Sequence, residues 1–107
     1  MKREEFKEWL LEMNLSTKTA NSRLSNCATI EHYYGNLETH FKKDKCRAII
    51  EELEYSADDE REKRAPRHKI PIEGNIRTGS STLRQAIRRY VEFCEFEVAM
   101  SNLLKVV

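Results

Sequence analysis

No stretch of this sequence approaches the roughly 20 consecutive apolar residues that a membrane-spanning helix requires, and the opening Met-Lys-Arg-Glu-Glu leads into no signal-type apolar run. The chain therefore reads as a cytoplasmic protein with no membrane partner. Cysteine is scarce and odd in number: Cys27, Cys46 and Cys94 form no C-x-x-C pair, and His32, His40 and His68 stand far apart. No such spacing suits a zinc ion. Each cysteine falls among the apolar positions of a helical pattern, which marks it as a buried thiol. Also missing are a glycine-rich phosphate loop, a His-Glu-x-x-His helix, a nucleophile elbow and a cysteine with an adjacent base. The expectation is a non-enzymatic protein with no catalytic residue, no cofactor and no metal. Asp58, Asp59 and Glu60 form an acidic run, but no nucleophile–base pair accompanies them. They read as carboxylates serving a helix end.

What the chain does have is charge, unevenly placed. Charged residues make up 35% of it and hydrophobic ones 39%, the balance of a globular helical protein with solvated outer faces. Its 107 residues suit one domain with one core. The formal net charge of +1 hides a strong bias: nine Lys/Arg stand against thirteen Asp/Glu in residues 1–60, nine against two in 61–90, and one against three in 91–107. The basic stretch points to an anionic partner.

Apolar spacing predicts an all-α fold, a compact bundle of four to five helices. Phe6, Trp9, Leu10 and Met13 recur at i, i+3, i+4, i+7 and place one stripe on a first helix that ends at Asn14 and Leu15. Ser16 is an N-cap for a second helix, with Ala20, Leu24, Cys27, Ala28 and Tyr34 inward and Gly35 at its end. Leu37 and Phe41 open a third helical stretch, broken near Asp44, which would cap the continuation carrying Cys46, Ile49, Ile50 and Leu53. Residues 55–78, with room for one helical turn at the start, hold both prolines, Gly74 and Asn75 and read as a long basic connection. Ile70, Ile72 and Ile76 would pin it to the core. The last long helix is expected to begin near Gly79-Ser80-Ser81, with Leu83, Ala86, Ile87, Tyr90, Val91 and Cys94 inward. A domain boundary is drawn after residue 97. Residues 98–107 form an apolar tail or linker ending in Leu103, Leu104, Val106 and Val107, suited to a homo-oligomer contact or a following domain.

With that last stripe turned inward, Arg84 and Arg88 lie one turn apart on the outside, with Ser81 above and Arg89 beside them. Arg64, Arg67, His68, Lys69 and Arg77 of the connection extend the basic surface, and arginine forks match phosphate oxygens. Lys69, Arg77, Arg84 and Arg88 are the residues expected to grip phosphates. The competing expectation is a solvated face whose arginines pair with Glu92, Glu95 or the acidic first half. The second helix turns Lys18, Asn21, Ser22, Ser25, Asn26 and Thr29 outward, with no acid from Ser16 to Thr29. Short uncharged polar side chains weaken a helix yet suit close approach to a duplex. The alternative is that this side packs on another part of the chain.

The arrangement Phe6-x-x-Trp9-Leu10, Leu15-Ser16-x-x-Thr19, a helical pair, a basic loop and Leu83-x-x-Ala86-Ile87-x-x-Tyr90-x-x-Phe93-Cys94 resembles the N-terminal SAM-like core-binding domain of tyrosine recombinases and phage integrases. The resemblance covers residues 4–96. It implies a helical domain that clamps one side of double-stranded DNA with its second and last long helices in the major groove. Carried onto this sequence, it places Lys18, Ser22 and Arg23 on the second helix near DNA and Arg84 and Arg88 on the last. The family's catalytic domain has no counterpart here, so Tyr33, Tyr34 and Tyr90 are not nucleophiles. The connection from Tyr55 to Thr78 is longer and more polar than the family domain needs. The sequence thus leads to a DNA-binding helical module, non-catalytic by itself, with a protein-interaction or oligomerisation module built on the apolar tail as the alternative.

Overall fold

A computed structural model describes residues 1–106; the apolar ending read at Val107 lies outside them. Every regular element among the described residues is a helix: α1 Arg3–Glu12, α2 Thr17–Tyr34, α3 Leu37–Asp44, α4 Arg47–Glu52, the single turn α5 Ala57–Arg61, and α6 Ile76–Val106. At 1.5 Å per residue, a 31-residue helix is about 46 Å long. It sets the long axis of a molecule measuring 55 × 30 × 23 Å.

Helix ends follow local chemistry. The Ser16 hydroxyl accepts from the Thr19 N–H at 3.1 Å and opens α2, and Gly35, at φ +92°, closes it. Lys45 and Cys46 both adopt left-handed backbone, so the chain turns sharply between α3 and α4, where the break near Asp44 was expected. The Asp44 carboxylate accepts from the Ala48 N–H at 3.1 Å and caps the new helix. Ser56 and Asp59 form a reciprocal capping box around α5, and the Tyr55 hydroxyl donates to the Arg64 carbonyl at 2.7 Å to hold the turn closed.

The core lies between α1, α2 and α6. Phe6, Leu10, Cys27, Ile30, Ala86, Ile87 and Tyr90 are wholly buried. Phe6 meets Tyr90 edge-on at 5.3 Å and Phe93 at 5.4 Å, and Trp9 reaches Phe93 at 5.9 Å. Large side chains buried this way contribute about 1.5–3 kcal/mol each. The α2–α6 contact is the most extensive in the molecule, and the Cys27 thiol donates across it to the Ala86 carbonyl at 3.4 Å. This packing brings the two helices singled out in the sequence side by side.

Several expected boundaries move. Met13 extends the α1 stripe by spacing, but α1 stops at Glu12 and Asn14 turns left-handed, leaving Met13 51% exposed. The last helix begins at Ile76, not at Gly79–Ser81: the Asn75 side chain accepts from the Thr78 N–H at 2.9 Å and caps it earlier. Gly79 sits inside the helix because Ile72 crosses it; an added Cβ would lie 2.5 Å from Ile72 Cγ2. The connection shortens to residues 62–75, and Ile70 does anchor it in the core. At the other end the boundary drawn after residue 97 falls within α6, which runs unbroken to Val106.

Candidate nucleic-acid interface

The basic residues separate into two groups. Near the start of α6, Arg77 pairs with Glu60 at 3.8 Å and Arg84 with Glu54 at 3.9 Å. From the connection, Arg64 reaches Asp59 at 3.1 Å and also meets Glu62, while Arg67 lies 3.9 Å from Asp59. Arg67, Arg77 and Arg84 share one depression with Glu54, Asp59 and Ser81. The Asp59 carboxylate is held below its ordinary range by the Ser56 backbone N–H and hydroxyl, with Arg64 adding to the effect. These acids meet the basic stretch directly, so the competing expectation of paired arginines holds for this half of the surface.

The second group lies where α2 packs on α6. Arg23, Gln85, Arg88, Arg89 and Glu92 line one shallow depression. Arg23 is half-buried, and its Nε is enclosed without a hydrogen-bond acceptor. Arg88 is exposed and enters no ion pair among the described residues, whereas Arg89 holds Glu92 at 3.1 Å. Lys18 and Ser22 stand exposed one turn apart on the outer side of α2, ahead of Arg23. Of the expected site residues, the fold therefore joins Arg23 to Arg88 and Arg77 to Arg84. Lys18 and Ser22 flank the first pair along α2, and Lys69 is exposed on the connection, apart from both clusters.

His68 is not part of the basic surface. It is 6% exposed; its Nε2 lies 2.8 Å from the Oγ of fully buried Ser80, and its Nδ1 accepts from the Ile70 N–H at 3.2 Å. An acceptor at Nδ1 places the ring proton on Nε2, which donates to Ser80. Such an imidazole cannot take a proton from the serine, so the pair ties the connection to α6 and does not form a nucleophile–base dyad. Burial lowers the His68 pKa below the usual 6.5, against an opposing pull from Glu52.

Cys27, Cys46 and Cys94 are buried thiols, as their apolar spacing indicates. Burial raises all three pKa values, that of Cys46 to about 12, so none is a thiolate near neutrality. Among the described residues no helix is long and apolar enough to cross a membrane, and no three His, Cys, Asp or Glu side chains gather as a metal site.

Sequence reasoning missed Gln85 and the individual ion-pair partners. Glu54 is separated from Arg84 by 30 positions, and no local pattern announces that meeting. No family model, curated protein or solved structure matches this chain.

Proposed function

We propose that the protein is a DNA-binding helical module that grips the phosphates of a duplex through the joined faces of α2 and α6. The observation that carries this reading is the meeting of Arg23 and Arg88 from adjacent helices, beside the acid-free outer side of α2. Two guanidiniums without their own carboxylates are predisposed to a polyanion, because each phosphate they neutralise releases condensed counterions. Lys18 and Ser22 extend the contact along α2, and Lys69 adds charge from the connection. Arg77 and Arg84 join by exchanging Glu60 and Glu54 for phosphate oxygens. The resemblance to the core-binding domain of tyrosine recombinases and phage integrases supports the same pair of helices. Chemistry on the DNA would then belong to another domain or protein, and this one would position it. Titration of a duplex at several salt concentrations tests the reading: affinity falls as salt rises, with a log–log slope of about −0.9 per phosphate contacted.

A second reading is favoured by the end of α6. Phe96, Met100, Leu103 and Leu104 follow i, i+4, i+7, i+8 and are 45%, 43%, 61% and 74% exposed. Such a stripe suits self-association or a partner helix. Sedimentation of the whole chain and of a chain ending at residue 97 tests this second reading, which is compatible with DNA binding. A dimer that dissociates on truncation supports self-association, and a monomer in both cases removes it.

A further inference from the structure

We infer that the depression between α2 and α6 is a seat for a single phosphate group, with Arg23 as its anchor and Arg88 as its second donor. The depression has a volume of about 370 Å³ and is lined by three guanidiniums, one amide and one carboxylate. Glu92, the carboxylate, is already held by Arg89. Two positive charges are left uncompensated where helix packing forces them together. Like charges at a partly buried surface repel more strongly than in water, and an anion between them reverses the sign of that interaction.

The position of Arg23 matters as much as its charge. Its half-buried side chain rests in the crevice between α2 and α6. The donor is thus held in place before any ligand arrives, and little side-chain freedom remains to be lost on binding. Its Nε–H is enclosed by the protein without an acceptor, so contact with the phosphate falls to the terminal Nη donors of the guanidinium. Gln85, on α6 one turn before Arg88 and Arg89, adds an amide donor on the same rim.

The ligand class follows from the donors. They converge from two helices, and a tetrahedral phosphate offers oxygens in several directions where a carboxylate offers two in one plane. The contrast within this molecule is direct. Arg67, Arg77 and Arg84 also line one depression, but Asp59 and Glu54 on the same lining hold Arg67 and Arg84, and Glu60 holds Arg77. The α2–α6 seat deepens the DNA reading and rests on it for the carrier of the phosphate, a backbone phosphodiester. Free inorganic phosphate shares the chemistry.

The arginine Nε–Hε NMR signals of the whole chain report on the seat. They would be followed at low ionic strength, first with inorganic phosphate and then with a duplex of arbitrary sequence. Saturable shifts of the Arg23 and Arg88 signals, larger than those of Arg77 and Arg84, are expected with both. Arg88→Gln should weaken phosphate binding about tenfold, the scale of one charged hydrogen bond, and Arg47→Gln, exposed on α4 and outside both depressions, less than about twofold, the scale of one distant surface charge. An unchanged backbone spectrum establishes that each variant is folded. An unmoved Arg23 signal while the duplex still binds overturns the seat and spares the DNA reading. Saturable phosphate binding without duplex binding keeps the seat and removes its proposed carrier. Equal, non-saturating shifts at every arginine also overturn the seat.

Discussion

Replacement of His68 by leucine tests the internal hydrogen-bond logic of the connection. The imidazole is buried and uses both nitrogens, one toward Ser80 and one toward the Ile70 N–H. Leucine fills a similar volume, so the cavity contribution is small and the loss comes from two abandoned polar groups. A buried group deprived of its partner costs about 1–3 kcal/mol, which for two such groups places the variant roughly 2–6 kcal/mol below the parent at pH 7.5. That is a large part of the 5–15 kcal/mol typical of a domain (approximate range). The pH dependence has a definite sign. The folded pKa is depressed below 6.5, so the unfolded chain takes up the proton first. This contribution to stability is fully present above the unfolded pKa and is lost as pH falls from there toward the lower folded value. Urea unfolding followed by circular dichroism at pH 7.5 and pH 5.5 measures it, both pH values lying roughly one unit either side of the unfolded pKa. The parent should lose more stability than His68→Leu over that interval, with a slope no steeper than about 1.4 kcal/mol per pH unit for one proton. Equal pH dependence in the two proteins, or a variant as stable as the parent at pH 7.5, would refute the assigned tautomer and its role.

Gly79→Ala should lower the melting temperature: its Cβ would collide with Ile72, and overpacking costs about 1–3 kcal/mol against about 1 kcal/mol gained from helix preference. In an Ile72→Ala background the same change should raise it, and a calorimetric comparison that finds no reversal of sign contradicts the close approach. Acid removal should strengthen DNA binding. Glu54→Gln with Glu60→Gln releases Arg84 and Arg77, and fluorescence anisotropy should report roughly two- to tenfold tighter duplex binding. Glu8→Gln with Glu12→Gln alters net charge equally on exposed positions of α1 and should have a smaller effect; equal effects would mean that only net charge matters.

Much of the fold was readable because its signals are local. Ser16 and Gly35 bound α2 as their chemistry dictates, and the stripe from Leu83 to Cys94 marks the buried side of α6. The start of α6 was placed too late because Gly79, Ser80 and Ser81 look like residues that precede and cap a helix. Gly79 and Ser80 are each explained instead by a neighbour distant in sequence: Ile72 needs the missing Cβ, and His68 needs the hydroxyl. Met13 followed the periodicity one step too far, since nothing apolar in the pattern records that Asn14 reverses the chain. The candidate site was readable as a list of basic residues but not as a partition. Arg84 was grouped with Arg88 by helical spacing and Arg77 was added from the connection, while the acids that separate both from Arg88 are Glu60 and Glu54. Arg23 entered through the family resemblance, and its meeting with Arg88 depends on how α2 packs on α6.

The salt dependence of duplex binding, measured for the parent and for Arg23→Gln with Arg88→Gln, tests whether the α2–α6 face grips phosphates. The parent should bind at low salt and weaken as salt rises. The double variant should bind more weakly, with a log–log slope shallower by about 1.8 if each arginine neutralises one phosphate. No binding of the parent at low salt, or a double variant with unchanged affinity and slope, would contradict a phosphate-gripping face on α2 and α6.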